Sequence, residues 1–239
     1  MKGPMFKWFG AKWNASKHYP APKYKLIVEP FAGSACYSLR HAKTHRAVLW
    51  DTCPEIAQLW RWLIGEARPR DVLAIPVKLE PFTDIRKLWL SDGQQLLLKH
   101  WQRTNPQTAC WTTSPWGHLP GQWTENTRTR VAAQLPMIKH WEFRELKPDF
   151  EVEATWFVDP PYQHNYDYKL PPIDYAALAH RVLGLHGQVI VCEALHPKTG
   201  ETPYWLPFKA FRETVTSRRK AHNSHHSREL IYLQDRSSP

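Results

Sequence analysis

The sequence predicts an α/β fold built on a doubly wound, mostly parallel sheet, with a small lobe inserted between its two parts. Three observations carry this. Apolar runs of strand length stand at residues 25–28, 47–50, 154–158 and 189–192. Stretches whose apolar residues recur at helical spacing alternate with them, the rhythm of parallel strands joined by crossover helices. Between residues 65 and 147 that rhythm stops, and Pro, Thr, Ser and Gly punctuate the chain instead.

Taken in order, Lys25-Leu26-Ile27-Val28 reads as a short buried strand, followed by the small-residue turn Glu29-Pro30-Phe31-Ala32-Gly33-Ser34-Ala35 and a helix reaching about His41. The second strand, Ala47-Val48-Leu49-Trp50, ends at Asp51, and Pro54 is placed to open a helix containing Ile56, Leu59, Trp60 and Leu63. In the interrupted region Trp89, Trp101, Trp111, Trp116 and Trp123 fall among turn residues, most densely at 105–126, before a helix-like stretch at 131–138. A loop of that length inside a compact core is uncommon, so residues 65–147 are read as the insertion and residues 1–64 and 148–239 as the core. The rhythm resumes with Ala154-Thr155-Trp156-Phe157-Val158, then a helix capped by Asp174 with Leu178, Val182 and Leu183 on one face. Val189-Ile190-Val191-Cys192 and a final strand at 229–233 complete the pattern.

Composition narrows the partners. A chain of 239 residues can bury a full core without disulfides, and Cys36, Cys53, Cys110 and Cys192 form no C-x-x-C pair, which speaks against a zinc ribbon or a disulfide framework. His222, His225 and His226 lack a carboxylate or thiol at ligand spacing, so no metal is expected. The start, Met1-Lys2-Gly3-Pro4, has no signal-peptide core, and no run approaches the roughly 18 apolar residues of a membrane span. A soluble, cytoplasmic monomer is expected. Lys plus Arg exceed Asp plus Glu by 32 to 22, and a net charge of +10 favours a polyanion such as nucleic acid. The thirteen Trp residues are core anchors first, although rings interleaved with Arg and Lys can also stack on bases.

Asp159-Pro160-Pro161-Tyr162 is the stretch richest in chemistry. It stands where the strand at 154–158 delivers its carboxyl end, the place where open α/β sheets bind ligands. Two prolines remove two backbone donors, leaving the Asp159 carboxylate and neighbouring carbonyls as acceptors suited to an exocyclic base amine. Tyr162 offers a face for a planar ring. A plain turn after a strand is the simpler alternative. The turn at Gly33 has the placement of a nucleotide-binding loop, and Asp51 stands where such folds put an acid on ribose hydroxyls. Asp51 could instead cap the helix that begins near Pro54.

Lys7-Trp8-Phe9-Gly10-Ala11-Lys12, then Val28-Glu29-Pro30-Phe31-Ala32-Gly33-Ser34, then Asp51, then Asp159-Pro160-Pro161-Tyr162 together resemble the Dam-like DNA adenine-N6 methyltransferases, in the family's order and with its insertion in the same place. The likeness covers about residues 5–60 and 150–235. It implies a Rossmann-like methyltransferase core, S-adenosylmethionine as cofactor, and duplex DNA as partner. Cofactor contacts are implied for Trp8, Gly10, Lys12, Glu29, Pro30, Phe31, Gly33, Ser34, Asp51 and Asp159. Asp159 and Pro160 would accept hydrogen bonds from the amine of a flipped adenine, Pro161 would stiffen the segment, and Tyr162 would stack on the base.

The chain departs from the family pattern at Ala35, where a second glycine is usual, and at Ala11. Ala35 is harmless at negative φ and weakens cofactor binding otherwise. Within the insertion, the expected target-recognition lobe, Arg128 and Arg130 are the candidates for DNA contacts. Two alternatives stand beside this reading. One is an RNA base-amine methyltransferase, and the other a DNA-binding protein on the same fold that has lost turnover.

Overall fold

The computed structural model describes residues 2–102, 109–115, 122–145, 151–163, 173–196, 199–215 and 226–236, with backbone alone at 212–215 and 226–228. Trp116, His222 and His225 lie outside the described residues, as does much of 105–126. The elements run β1 (Leu26–Glu29), α1 (Cys36–His41), β2 (Arg46–Leu49), α2 (Pro54–Arg61), α3 (Pro69–Leu73), α4 (Asp92–Trp101) and α5 (Glu125–Gln134). There follow β3 (Glu142–Phe143), β4 (Ala154–Val158), α6 (Tyr175–Leu183), β5 (Gly187–Ala194), β6 (Lys209–Val215) and β7 (His226–Arg236). The fold is α/β, with a seven-stranded mixed sheet in the order β3-β2-β1-β4-β5-β7-β6. β1 runs parallel to β4, β4 to β5 and β2 to β3, whereas β7 is antiparallel to both β5 and β6.

The chain divides into two compact units, one of Met1–Tyr19 and Ala32–Lys147, the other of Pro20–Phe31 and Pro148–Pro239. In the second unit, β4 and β5 are buried along their whole length, as strands covered on both faces must be. Near their starting ends the polar residues Thr155 and Gln188 engage one another. Thr155 Oγ1 donates to Gln188 Oε1 at 2.9 Å, and the backbone N–H of Lys23 donates to both side chains. These bonds fasten the segment that leads into β1. Helix α6 begins as expected, with Asp174 accepting from Ala177 N at 2.9 Å, but only Val182 is buried; Leu183 is exposed. The apolar stripe is narrower than the sequence pattern suggests.

In the first unit, α2 buries Ile56, Leu59 and Trp60, and continues past Arg61 as the π-helical turn Trp62–Glu66. Helix α4 starts against that turn so closely that a Cβ on Gly93 would lie 2.2 Å from the Trp62 ring. The apolar residues of 65–147, among them Leu96, Leu97, Trp101, Trp123, Val131 and Leu135, share one core with Leu39, Leu49, Ile56 and Trp60. Two of the indoles buried here find backbone acceptors: Trp101 Nε1 donates to Met5 O at 3.0 Å and Trp123 Nε1 to Pro76 O at 3.1 Å. Trp89, by contrast, is fully exposed.

Candidate active site

The tetrapeptide follows β4 directly. Ile27 pairs with Thr155 and Val28 with Trp156, so the carboxyl ends of β1 and β4 lie side by side, with Glu29-Pro30-Phe31 on one and Asp159-Pro160-Pro161-Tyr162 on the other. In the strand order β1 and β4 are neighbours although far apart in sequence, so the chain switches direction across the sheet between them. Crevices form outside strand ends at such a point. Glu29 and Pro30 are buried, while Phe31, Asp159, Pro161 and Tyr162 are half-buried around buried Pro160.

Side chains from three elements hold this segment. Tyr175 of α6 donates its hydroxyl to Pro161 O at 2.7 Å, and the Tyr162 hydroxyl reaches Glu229 Oε1 of β7 at 3.4 Å. The Gln163 backbone N–H donates to Glu193 Oε2 of β5 at 3.2 Å. Desolvation pushes the Glu193 carboxyl up to about 7, with the Asp159 charge acting the same way and hydrogen bonds from Trp205, Ala194 and Gln163 opposing. The segment after β4 is thus braced on several sides.

Gly33, in the first unit, is glycine for two reasons. Its φ is +46°, and a Cβ there would lie 2.5 Å from Trp8 Cδ1, so the Trp8 ring rests on bare backbone. The Gly33 N–H donates to Asp51 Oδ2 at 2.8 Å, and Gly33 O accepts from Trp60 Nε1 at 2.8 Å. Asp51 Oδ1 accepts from Cys53 N at 2.9 Å, while Cys53 itself is the N-cap of α2 and makes no side-chain cap. Asp51 therefore is not the helix cap; it ties the Gly33 turn to the start of α2. Burial raises its carboxyl above the usual range, and the backbone N–H groups of Cys53 and Gly33 pull it back down. An ionised carboxylate has about four acceptor positions, so these bonds leave capacity for a ligand hydroxyl.

Ala35 stands at φ +45°, ψ +44°, the left-handed conformation that glycine tolerates and alanine resists. Its neighbour Ser34 is buried, with Oγ 3.3 Å from Cys36 Sγ. Ahead of the turn, Ala11 N donates to Trp8 O at 3.2 Å and Lys12 Nζ to Gly10 O at 3.3 Å, and Gly10 also has positive φ. Residues 8–12 thus form a tight turn with Trp8 folded inward.

Arg128 and Arg130 are committed within the first unit. Arg128 donates to Glu125 Oε2 at 2.7 Å and to Ile75 O at 3.1 Å. Arg130 donates to Pro4 O at 2.8 Å and lies 5.6 Å from the Trp101 ring centroid, buried enough that its pKa is lowered.

The residues that the sequence reading did not single out are Trp60, which holds the Gly33 carbonyl, and Tyr175, Glu193, Trp205 and Glu229, which surround the tetrapeptide. One signal was available: Glu193 is the sole carboxylate in an otherwise apolar strand stretch, Val189-Ile190-Val191-Cys192-Glu193-Ala194. Among the described residues no group of three or more His, Cys, Asp or Glu could hold a metal ion, and no helix is long and apolar enough to cross a membrane. No protein-family model matches the chain, and comparison with curated proteins finds no relative.

Proposed function

We propose that the protein is an S-adenosylmethionine-dependent DNA methyltransferase that modifies the exocyclic amine of adenine, acting as a cytoplasmic monomer on duplex DNA. The observation that carries this reading is the braced Asp159-Pro160-Pro161-Tyr162 segment at the carboxyl end of β4, beside the end of β1. Support on the cofactor side comes from the Gly33 turn, which a Cβ would fill, from the Trp8 ring against it and from the Asp51 carboxylate. These residues fit the methionine and ribose parts of such a cofactor. When bound, it supplies a sulfonium methyl as electrophile.

The chain's own residues would do the rest. An aromatic amine is a weak nucleophile because its lone pair is delocalised, so the Asp159 carboxylate and Pro160 carbonyl would hold its hydrogens and favour the pyramidal form that attacks. On taking the methyl group the amine would give up one proton to the Asp159 carboxylate that holds it, and from there to water. Holding Pro161 O and Gln163 N fixed keeps those acceptors in place, which is where most of the rate enhancement of such a displacement originates. Tyr162 would stack on the flipped base, offsetting part of the few kcal/mol needed to extrude it. The net charge of +10 supports a phosphate-backbone partner.

A second reading, a DNA-binding protein with little turnover, is favoured by left-handed Ala35 in the cofactor turn. One experiment separates the readings. Purified protein is incubated with S-adenosylmethionine and random-sequence duplex DNA or RNA, and the digested nucleosides are inspected. N6-methyladenine in DNA is the expected product; methylated RNA alone moves the substrate class, and DNA binding without methylation selects the second reading.

A further inference from the structure

Two buried carboxylates, Glu193 and Glu229, brace the tetrapeptide, and Glu193 is the deeper of them. Glu193 is wholly buried near the end of β5, a strand whose eight residues are all buried. Keeping a carboxylate in such a place is costly unless its oxygens are engaged. Oε1 accepts from Ala194 N at 3.1 Å, while Oε2 accepts from both Gln163 N at 3.2 Å and Trp205 Nε1 at 3.0 Å. Pro160 and Pro161 have no N–H, so the bond to Gln163 grips the segment immediately after Tyr162. The other grips belong to the same cluster. Tyr175, which holds Pro161 O, packs its ring 5.6 Å from that of Trp205, and Trp205 in turn meets Phe208 edge-on at 5.0 Å.

We propose that Glu193 is a positioning residue, an ionisable anchor that ties the backbone after Tyr162 to Trp205 and sets the attitude of the Tyr162 ring according to whether Glu193 carries its charge. The proposal rests on the reading of Tyr162 as the ring that meets the base. Three N–H donors converge on two oxygens. A protonated carboxyl keeps fewer acceptor positions, accepts more weakly without its charge and presents a donor of its own, so the three N–H bonds loosen when it takes a proton. Asp159, after β4, is the charged group that acts on Glu193; on β7 Leu230 pairs directly with Glu193, while Glu229 pairs with Ala194 and so lies on the opposite face of the sheet. Asp159 adds negative charge and so favours protonation of Glu193, while the three donors favour its ionised form. The carboxyl stands at about 7, so the anchor changes state across the neutral range.

The test follows two N–H groups by nuclear magnetic resonance, the Gln163 amide and the Trp205 indole, across about pH 5 to 9 in the protein without substrate. Both should titrate with one midpoint near 7, and both transitions should vanish in E193Q. W205F removes a donor that stabilises the charge and should move the Gln163 midpoint upward, an arm that stands even if E193Q fails to fold. In methyl transfer, kcat should fall on the acid side of the same midpoint, and E193Q should lose that limb with kcat lowered on the order of tenfold to a hundredfold. Resonances that stay flat, that titrate unchanged in E193Q, or that titrate while kcat is indifferent to pH overturn the proposal. Because the resonance arm needs no substrate, a titrating anchor in a protein that transfers no methyl group refutes the reaction and upholds the anchor.

Discussion

Asp51 shows how one side chain can serve structure and ligand together. Its two oxygens already take the N–H groups of Gly33 and Cys53, so Asp51→Ala should destabilise the fold by about 1 to 3 kcal/mol in denaturant titration, the cost of orphaned buried donors. S-adenosylmethionine affinity measured by calorimetry on the folded fraction should drop as well; unchanged affinity would leave Asp51 as a brace for the turn alone. Ala35 makes the opposite case. A left-handed alanine is strained by about 1 to 2 kcal/mol, and glycine forfeits part of the relief through its freer unfolded chain. Ala35→Gly should therefore gain up to about 1 kcal/mol in stability, and bind the cofactor more tightly. Loss of stability in that variant would show that the methyl group, buried as it is, contributes more by packing than the backbone loses by strain.

Among the elements, the buried strands were legible because unbroken apolar runs such as Ala154-Thr155-Trp156-Phe157-Val158 admit little else at that length. The tetrapeptide's position followed from them. Helix α4 was missed although its signal is present: Ser91 and Gln94 form a capping box, with Ser91 N donating to Gln94 Oε1 at 2.9 Å. The surrounding Trp and Pro residues mask that signal. Ser91→Ala should cost about 1 kcal/mol in denaturant titration, and no change would mean that packing against Trp62 alone holds the helix start. Strand β6 was missed because Lys209-Ala210-Phe211-Arg212 mixes polar and apolar residues. The sequence marks Glu193 as a lone carboxylate in an apolar run but hides its role, since its partners Gln163 and Trp205 become neighbours only through the fold. The same holds for Arg128 and Arg130, where sequence shows a charge and hides its partner.

For the molecule as a whole, a net charge of +10 on 239 residues predicts DNA affinity that falls steeply with salt, through release of counterions from phosphates. Arg130 is engaged with Pro4 O, so Arg130→Ala should lower stability while leaving the slope of log affinity against log salt unchanged. A slope shallower by about 1 would instead make it a phosphate contact. The central claim is that the segment at the end of β4 performs methyl transfer, and single-turnover transfer from S-adenosylmethionine to duplex DNA by the Asp159→Ala variant tests it most directly. The account predicts a rate lower by roughly two to three orders of magnitude, as for loss of one preorganised polar contact, with a smaller effect on cofactor binding. A variant that transfers methyl groups at nearly the wild-type rate would contradict it.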